Sequence, residues 1–128
     1  MKIKATIGSE HYKTTVRSET NLLIADEQID KGGTGEGFDP HELLSASLAS
    51  CTSMTLRMYA DKKQWDVSEI NVSININSSS SQLTSIDREI ELKGNLSQEQ
   101  KDRLLQIANL CPIHKILSNP IQINTIIK

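Results

Sequence analysis

The sequence predicts an α+β fold in a single domain, and three observations carry that prediction. The first forty residues hold short β-branched stretches in the manner of a meander. One long uninterrupted helical segment opens at Asp39-Pro40. A pair of alternating strands then precedes two shorter helical segments. A chain of 128 residues can form one core without staples, and folding at this size buries roughly two-thirds of the surface of the unfolded chain. No internal repeat or long linker divides it, so residues 1–128 are read as one domain.

Lys2–Ile7, Tyr12–Arg17 and Asn21–Ala25 read as the three strands of the meander, separated by Gly8-Ser9-Glu10 and Ser18-Glu19-Thr20. In the loop Lys31–Gly37 four of seven residues are glycine, a freedom that suits positive φ angles, tight turns or close approach to other backbone. These glycines follow neither the GxGxxG nor the GxxxxGKS spacing, which argues against a nucleotide site.

Asp39 is then a natural N-cap and Pro40 a natural first helical residue. Leu44, Leu48, Cys51, Thr55 and Met58 recur at spacings of three and four, which predicts a helix to about Lys63 with these residues on its apolar stripe. Small residues on both flanks, from Ser45 to Ser53, let neighbouring backbones approach closely. Met54 and Met58 read as core or pocket lining.

Val67–Asn77 reads as a strand with Ile70, Val72, Ile74 and Ile76 on one face. Ser78–Ser81 reads as a turn and Thr84–Leu92 as the returning strand. Asn95–Leu110 reads as a helix capped by Ser97, with Leu104, Leu105, Ile107 and Ala108 facing inward. Cys111-Pro112 starts a short third helix, Asn119-Pro120 ends it, and Ile121–Ile127 reads as a closing strand.

Composition narrows the function. The net charge of −2 lacks the basic footprint of a nucleic-acid binder, and 3% aromatics provide no stacking platform for single strands. The N-terminus lacks an apolar targeting core and no 18-residue apolar run occurs, so no membrane partner and a cytoplasmic location are expected. Cys51 and Cys111 stand sixty positions apart, with no CxxC and no Cys/His cluster, so neither a metal nor a cofactor is expected.

A lone helical cysteine is commonly an inert, buried space-filler. Here the case for chemistry is the second thiol. Cys111 precedes a proline-started helix, where free N–H groups and the helix dipole favour a thiolate. Spacing leaves open whether the thiols meet. If they do, one can attack a peroxide, become a sulfenic acid and condense with the other to a disulfide. An activating cation is then needed, and the candidates are Arg17, Arg57, Arg88, Arg103, the lysines, and His41 or His114. A Ser-based hydrolase has no G-x-S-x-G elbow to support it.

The segment Gly35-Glu36-Gly37-Phe38-Asp39-Pro40-His41-Glu42-Leu43-Leu44, continuing to Cys51, together with Leu110-Cys111-Pro112-Ile113-His114, resembles the OsmC/Ohr family of osmotically inducible and organic hydroperoxide resistance proteins. The likeness covers essentially the whole chain. It implies an OsmC-like fold, an intertwined homodimer with sites at the subunit interface, and thiol-dependent reduction of organic hydroperoxides, with an external thiol as reductant. By that resemblance Cys51 is the peroxidatic thiol and Cys111 the resolving one. Arg17 is the nearest match for the family's activating arginine.

The family's glutamate directly follows the helix-opening proline. Here His41 holds that position and Glu42 comes one later, a turn of about 100°. His41 also stands roughly 15 Å from Cys51 along a straight helix, so contact needs a partner chain or a folded-back loop. The alternative to a peroxidase is a non-catalytic dimeric stress, ligand-binding or redox-sensing relative.

Overall fold

The computed structural model describes residues 2–77 and 83–128, and the turn expected over Ser78–Ser81 lies outside the described residues. The architecture is α+β, in two compact units, Met1–Leu44 and Ser45–Lys128.

In the N-terminal unit, β1 (Lys4–Ile7), β2 (Thr14–Arg17) and β3 (Leu22–Ala25) form the expected antiparallel meander in the order β1-β2-β3. Arg17 pairs with Lys4 on one side and Leu22 on the other. Each strand is shorter than its β-branched stretch, because pairing stops where the turns begin. Ser18 closes one turn, its hydroxyl accepting the Asn21 N–H at 2.9 Å.

Asp26, buried at the end of β3, organises the glycine-rich loop. Its carboxylate accepts the Thr34 hydroxyl at 2.5 Å and the backbone N–H groups of Glu27 (2.8 Å), Thr34 (3.2 Å), Glu36 (3.3 Å) and Tyr12 (3.4 Å). The loop glycines allow close approach. A Cβ at Gly33 would collide with the Glu27 carbonyl, and one at Gly37 with the Ile24 carbonyl. A single 3₁₀ turn, Ile29–Lys31, interrupts the loop and has no periodic signal in the sequence.

Helix α1 (Pro40–Lys63) begins where Asp39-Pro40 predicts. Asp39 Oδ1 accepts the Glu42 N–H at 2.8 Å, and Glu42 Oε2 accepts the Asp39 N–H at 3.4 Å, a reciprocal capping box.

Within the C-terminal unit the buried face of α1 is Leu48, Thr52, Leu56 and Ala60. This corrects the stripe read from the sequence, which shares Leu48 with the buried face and drifts from it by one position at Cys51 and Thr55 and by two at Met58. Leu44, Met54 and Met58 are exposed, and Cys51 is half-buried on the flank. The shift arises because Thr52 and Ala60, at i+4 from Leu48 and Leu56, are small enough to take the closest packing.

β4 (Glu69–Asn77) and β5 (Ser85–Lys93) form an antiparallel hairpin that sets Ile70, Val72, Ile74 and Ile76 opposite Leu92, Ile90, Arg88 and Ile86. Helix α2 (Gln98–Ala108) carries the expected Ser97 cap, reinforced by Gln100. It buries Leu104, Ile107 and Ala108, while Leu105 is 63% exposed against expectation. Leu105 sits about 100° around the helix from Leu104 and leaves the inward stripe. Leu56, Ala60, Val67, Leu104, Ile107 and Ala108 form the core, with Tyr59, Trp65, Ile70 and Ile90 packed against it.

Helix α3 (Pro112–Leu117) follows. The closing strand expected over Ile121–Ile127 is not formed: residues 119–128 carry neither helix nor strand, and residues 121–128 are all exposed. A strand exists only through its ladder partner, and none pairs with this segment among the described residues.

Candidate active site

Cys51 and Cys111 come from elements far apart in sequence and meet in the C-terminal unit. Cys51 lies in the middle of α1, half-buried, beside the fully buried Thr52. Cys111 follows the last turn of α2. Its N–H donates to the Ala108 carbonyl at 3.3 Å, and its extended ψ of 127° turns the chain into α3. Pro112 occupies the first position of that helix, and Cys111 Sγ takes the N-cap role, accepting the His114 N–H at 3.5 Å. Both cysteines are free thiols, near enough for each to shift the other's titration.

The two thiols are not equivalent. Burial pushes the Cys51 thiol up, and its hydrogen bond to Cys111 raises it further. Burial pushes Cys111 up as well, but the hydrogen bonds it accepts outweigh that. They come from the Cys51 side chain, the His114 and Ile113 backbone N–H groups and Thr52, and they hold Cys111 below the ordinary thiol value. The two shifts thus run in opposite directions, with Cys111 the more acidic of the pair. That is the outcome the helix-start position of Cys111 predicts.

Arg88 reaches this neighbourhood from β5. Its Nη1 donates to Thr52 Oγ1 at 3.1 Å and to the Ala108 carbonyl at 3.3 Å, and its Nη2 donates to Asn109 Oδ1 at 2.9 Å. Of the arginines weighed from the sequence, Arg88 has side-chain bonds to residues that flank the thiols. Arg57 pairs instead with Asp61 at 3.4 Å, and Arg103 with Tyr59 and Gln106. His114 is half-buried, and burial together with the Arg88 charge lowers its pKa, which favours the neutral ring. Its link to Cys111 is through its backbone N–H. Leu48, Ile86, Arg88, His114, Leu117 and Ser118 line a cleft of about 230 Å³.

Arg17, His41 and Glu42 belong to the N-terminal unit. Arg17 ends β2 with an exposed side chain that makes no ion pair among the described residues. His41 is exposed on the first turn of α1, and Glu42 is engaged with Asp39 in the capping box. Sequence reasoning did not single out Thr52 or Asn109. The available signal for Thr52 was its i+4 spacing from Leu48 and to Leu56, whereas Asn109 carried none.

No helix among the described residues is long and apolar enough to cross a membrane. The family model of the OsmC-like proteins matches residues 33–126. An OsmC-like protein from Mycoplasma pneumoniae is 18% identical, with 91% of this chain and 85% of that chain covered at a TM-score of 0.77. An organic hydroperoxide resistance protein from Elizabethkingia anophelis is 16% identical, with 91% and 86% covered at 0.66. A Legionella pneumophila protein described as an organic hydroperoxide resistance protein OsmC is 17% identical, with 91% and 87% covered at 0.64. These likenesses show a shared fold. A comparison with curated protein sequences gives no match.

Proposed function

The chain belongs to the OsmC-like protein family, and from that membership we propose that it is a thiol-dependent peroxidase that reduces organic hydroperoxides in defence against oxidative stress. The observation that carries this reading is the pair of neighbouring free thiols, Cys51 partly open to solvent and Cys111 buried. Hydroperoxide-resistance proteins of the same fold support it.

In the proposed cycle the Cys51 sulfur attacks the terminal peroxide oxygen and the O–O bond breaks. The departing alkoxide takes up the thiol proton and leaves as an alcohol, while Cys51 becomes a sulfenic acid. The Cys111 thiolate then attacks that sulfur, the S–O bond breaks, and hydroxide leaves to be protonated to water. Two electrons have passed from the thiols to the peroxide. Two equivalents of an external thiol return the disulfide to two thiols, the first forming a mixed disulfide and the second releasing it as the external disulfide.

The polarised pair suits this order of events. The more exposed sulfur meets the substrate, and the sulfur that must attack second is the more acidic of the two. Arg17 is proposed to activate Cys51, with His41 or Glu42 as the group that orients it. We take the functional form to be a homodimer.

The test is stoichiometric. Reduced protein treated with one equivalent of cumene hydroperoxide is expected to lose two thiols rapidly, forming a Cys51–Cys111 disulfide mapped by mass spectrometry. Cys51→Ser is expected to abolish the reaction. Thiols that persist for hours would favour the non-catalytic reading instead.

A further inference from the structure

We infer that the cleft between α1, β5 and α3 is a binding site for a short aliphatic carboxylate, its head group on Arg88 and His114 and its tail on Leu48, Ile86 and Leu117. The inference stands apart from the thiol chemistry and holds or fails without it.

Arg88 is satisfied as a donor but not as a charge. Along β5 the half-buried residues are Ile86, Arg88, Ile90 and Leu92, so the guanidinium is set in an otherwise apolar row. Its Nη1 donates to Thr52 Oγ1 and the Ala108 carbonyl, and its Nη2 to Asn109 Oδ1. All three acceptors are neutral. No carboxylate pairs with Arg88 among the described residues, since Asp87 and Glu89 are exposed on the other face of β5. The carbonyl end of α2 offsets about half a unit of the charge. What is left favours an anion beside this half-buried cation. The Nε–H and one hydrogen of Nη2 have no acceptor among the described residues, enough for the two oxygens of a carboxylate.

His114 lines the same cleft from α3. It is half-buried, and its hydrogen bonds among the described residues are made by its backbone, with Cys111 Sγ and Ser118, which leaves the ring nitrogens open to a ligand. Burial lowers its pKa and the Arg88 charge lowers it further, so the two side chains sense each other across the cleft. The groups that bear on the ring from the packed elements are Arg88 of β5, Cys51 of α1 and Cys111 at the start of α3, with Lys115 adjacent on α3 itself; Arg88 is the one whose charge shifts it. The remaining wall is apolar, with Leu48 buried and Ile86 and Leu117 half-buried. At about 230 Å³ the cavity falls below the roughly 300–1,000 Å³ of drug-sized sites. It suits a small molecule with one charged end and a short hydrocarbon tail.

The experiment titrates sodium hexanoate into the reduced full chain and follows the His114 ring by proton NMR between pH 5.5 and pH 9, with His11 and His41 as reference resonances. Expected is saturable binding that moves the His114 midpoint upward, because the carboxylate offsets Arg88 and favours the imidazolium. Affinity then rises as the pH falls through that midpoint. Acetate, which lacks the tail, and hexanol, which lacks the charge, should each bind at least roughly tenfold more weakly. Arg88→Met should weaken hexanoate binding roughly tenfold, and Arg88→Lys by less, since lysine keeps the charge without the fork.

A parent chain that hexanoate does not saturate would overturn the inference, and so would a His114 midpoint that stays or falls on saturation. Equal shifts from acetate or from sodium chloride at the same ionic strength would overturn it too, because any ion would then suffice. Undiminished affinity in Arg88→Met would do the same. If Arg88→Met fails to fold, Leu117→Glu takes its place: an acid in the cleft wall should abolish hexanoate binding, and unchanged affinity there would strike out the site. A chain that fails to reduce hydroperoxides leaves each of these outcomes as decisive as before.

Discussion

Glu42 occupies the third position of α1, where its carboxylate accepts the Asp39 N–H and its own N–H is held by Asp39. That engagement bears on the departure at the helix opening, where His41 follows Pro40 directly. A carboxylate committed to a cap is less available to orient an arginine, because leaving would break the box. Replacing His41 by Glu adds a second acid at the position that matches the family pattern. The expected result is a gain in kcat/KM for cumene hydroperoxide of up to roughly tenfold, about 1.4 kcal/mol of transition-state stabilisation. No change or a fall would mean that position 41 does not match the family's glutamate or that Glu42 serves despite the cap. At this scale the sequence was informative where a residue type is rare: two cysteines among 128 residues drew attention, and the structure brings them together. Thr52 was one hydroxyl among many in α1. Arg88 was one arginine among several, since partners at long sequence separation leave no local spacing to read.

The elements were legible where the chain carries its own stop and start signals. Asp39-Pro40 and Ser97 each mark a helix start through donors that the next turn leaves free, and both caps form as read. The inward face of α1 was harder, because alanine, serine and threonine fit either side and hydrophobicity alone does not set the phase. The glycine-rich loop shows the complementary case, in which one acid gathers what composition leaves loose. The Thr34 hydroxyl holds the Asp26 carboxyl far below the usual carboxylate range; burial opposes it, and the N–H groups of Glu27, Glu36 and Thr34 add to it. With the folded-state pKa depressed, the carboxylate stabilises the fold fully above its unfolded value of about 4. That contribution is lost as the pH falls through the folded value. Acidification from pH 6 to pH 3 is therefore expected to lower the melting temperature and to lower the hydrogen-exchange protection factors, taken against the intrinsic rate at each pH, of the amides in residues 26–37. Asp26→Asn should melt lower at pH 6 and show a flatter pH dependence. Equal slopes for parent and variant would show that Asp26 does not carry the effect.

On the scale of the whole molecule, the α+β layout follows from local periodicity, but the last strand does not, because a strand is completed by whatever lies beside it. Ile121, Ile123, Ile126 and Ile127 are 58%, 82%, 83% and 96% exposed, with no ladder partner among the described residues. Met54 and Met58 on α1 are 59% and 70% exposed, on the same helix as Cys51. Single exposed apolar residues are ordinary, whereas a run of isoleucines with unpaired backbone is a liability that proteins normally cover. A second copy of the chain, as the homodimer reading has it, would cover both regions and turn the isoleucine segment into a paired strand. Size-exclusion chromatography with light scattering should then give a mass of about twice 14.2 kDa at micromolar concentration. Aspartates at Ile123 and Ile126 should shift the protein to monomer or aggregate and reduce peroxide turnover in step, since charge does not belong in an apolar interface core. A parent chain that is monomeric and fully active at the same concentration would show that one copy is enough to build the site.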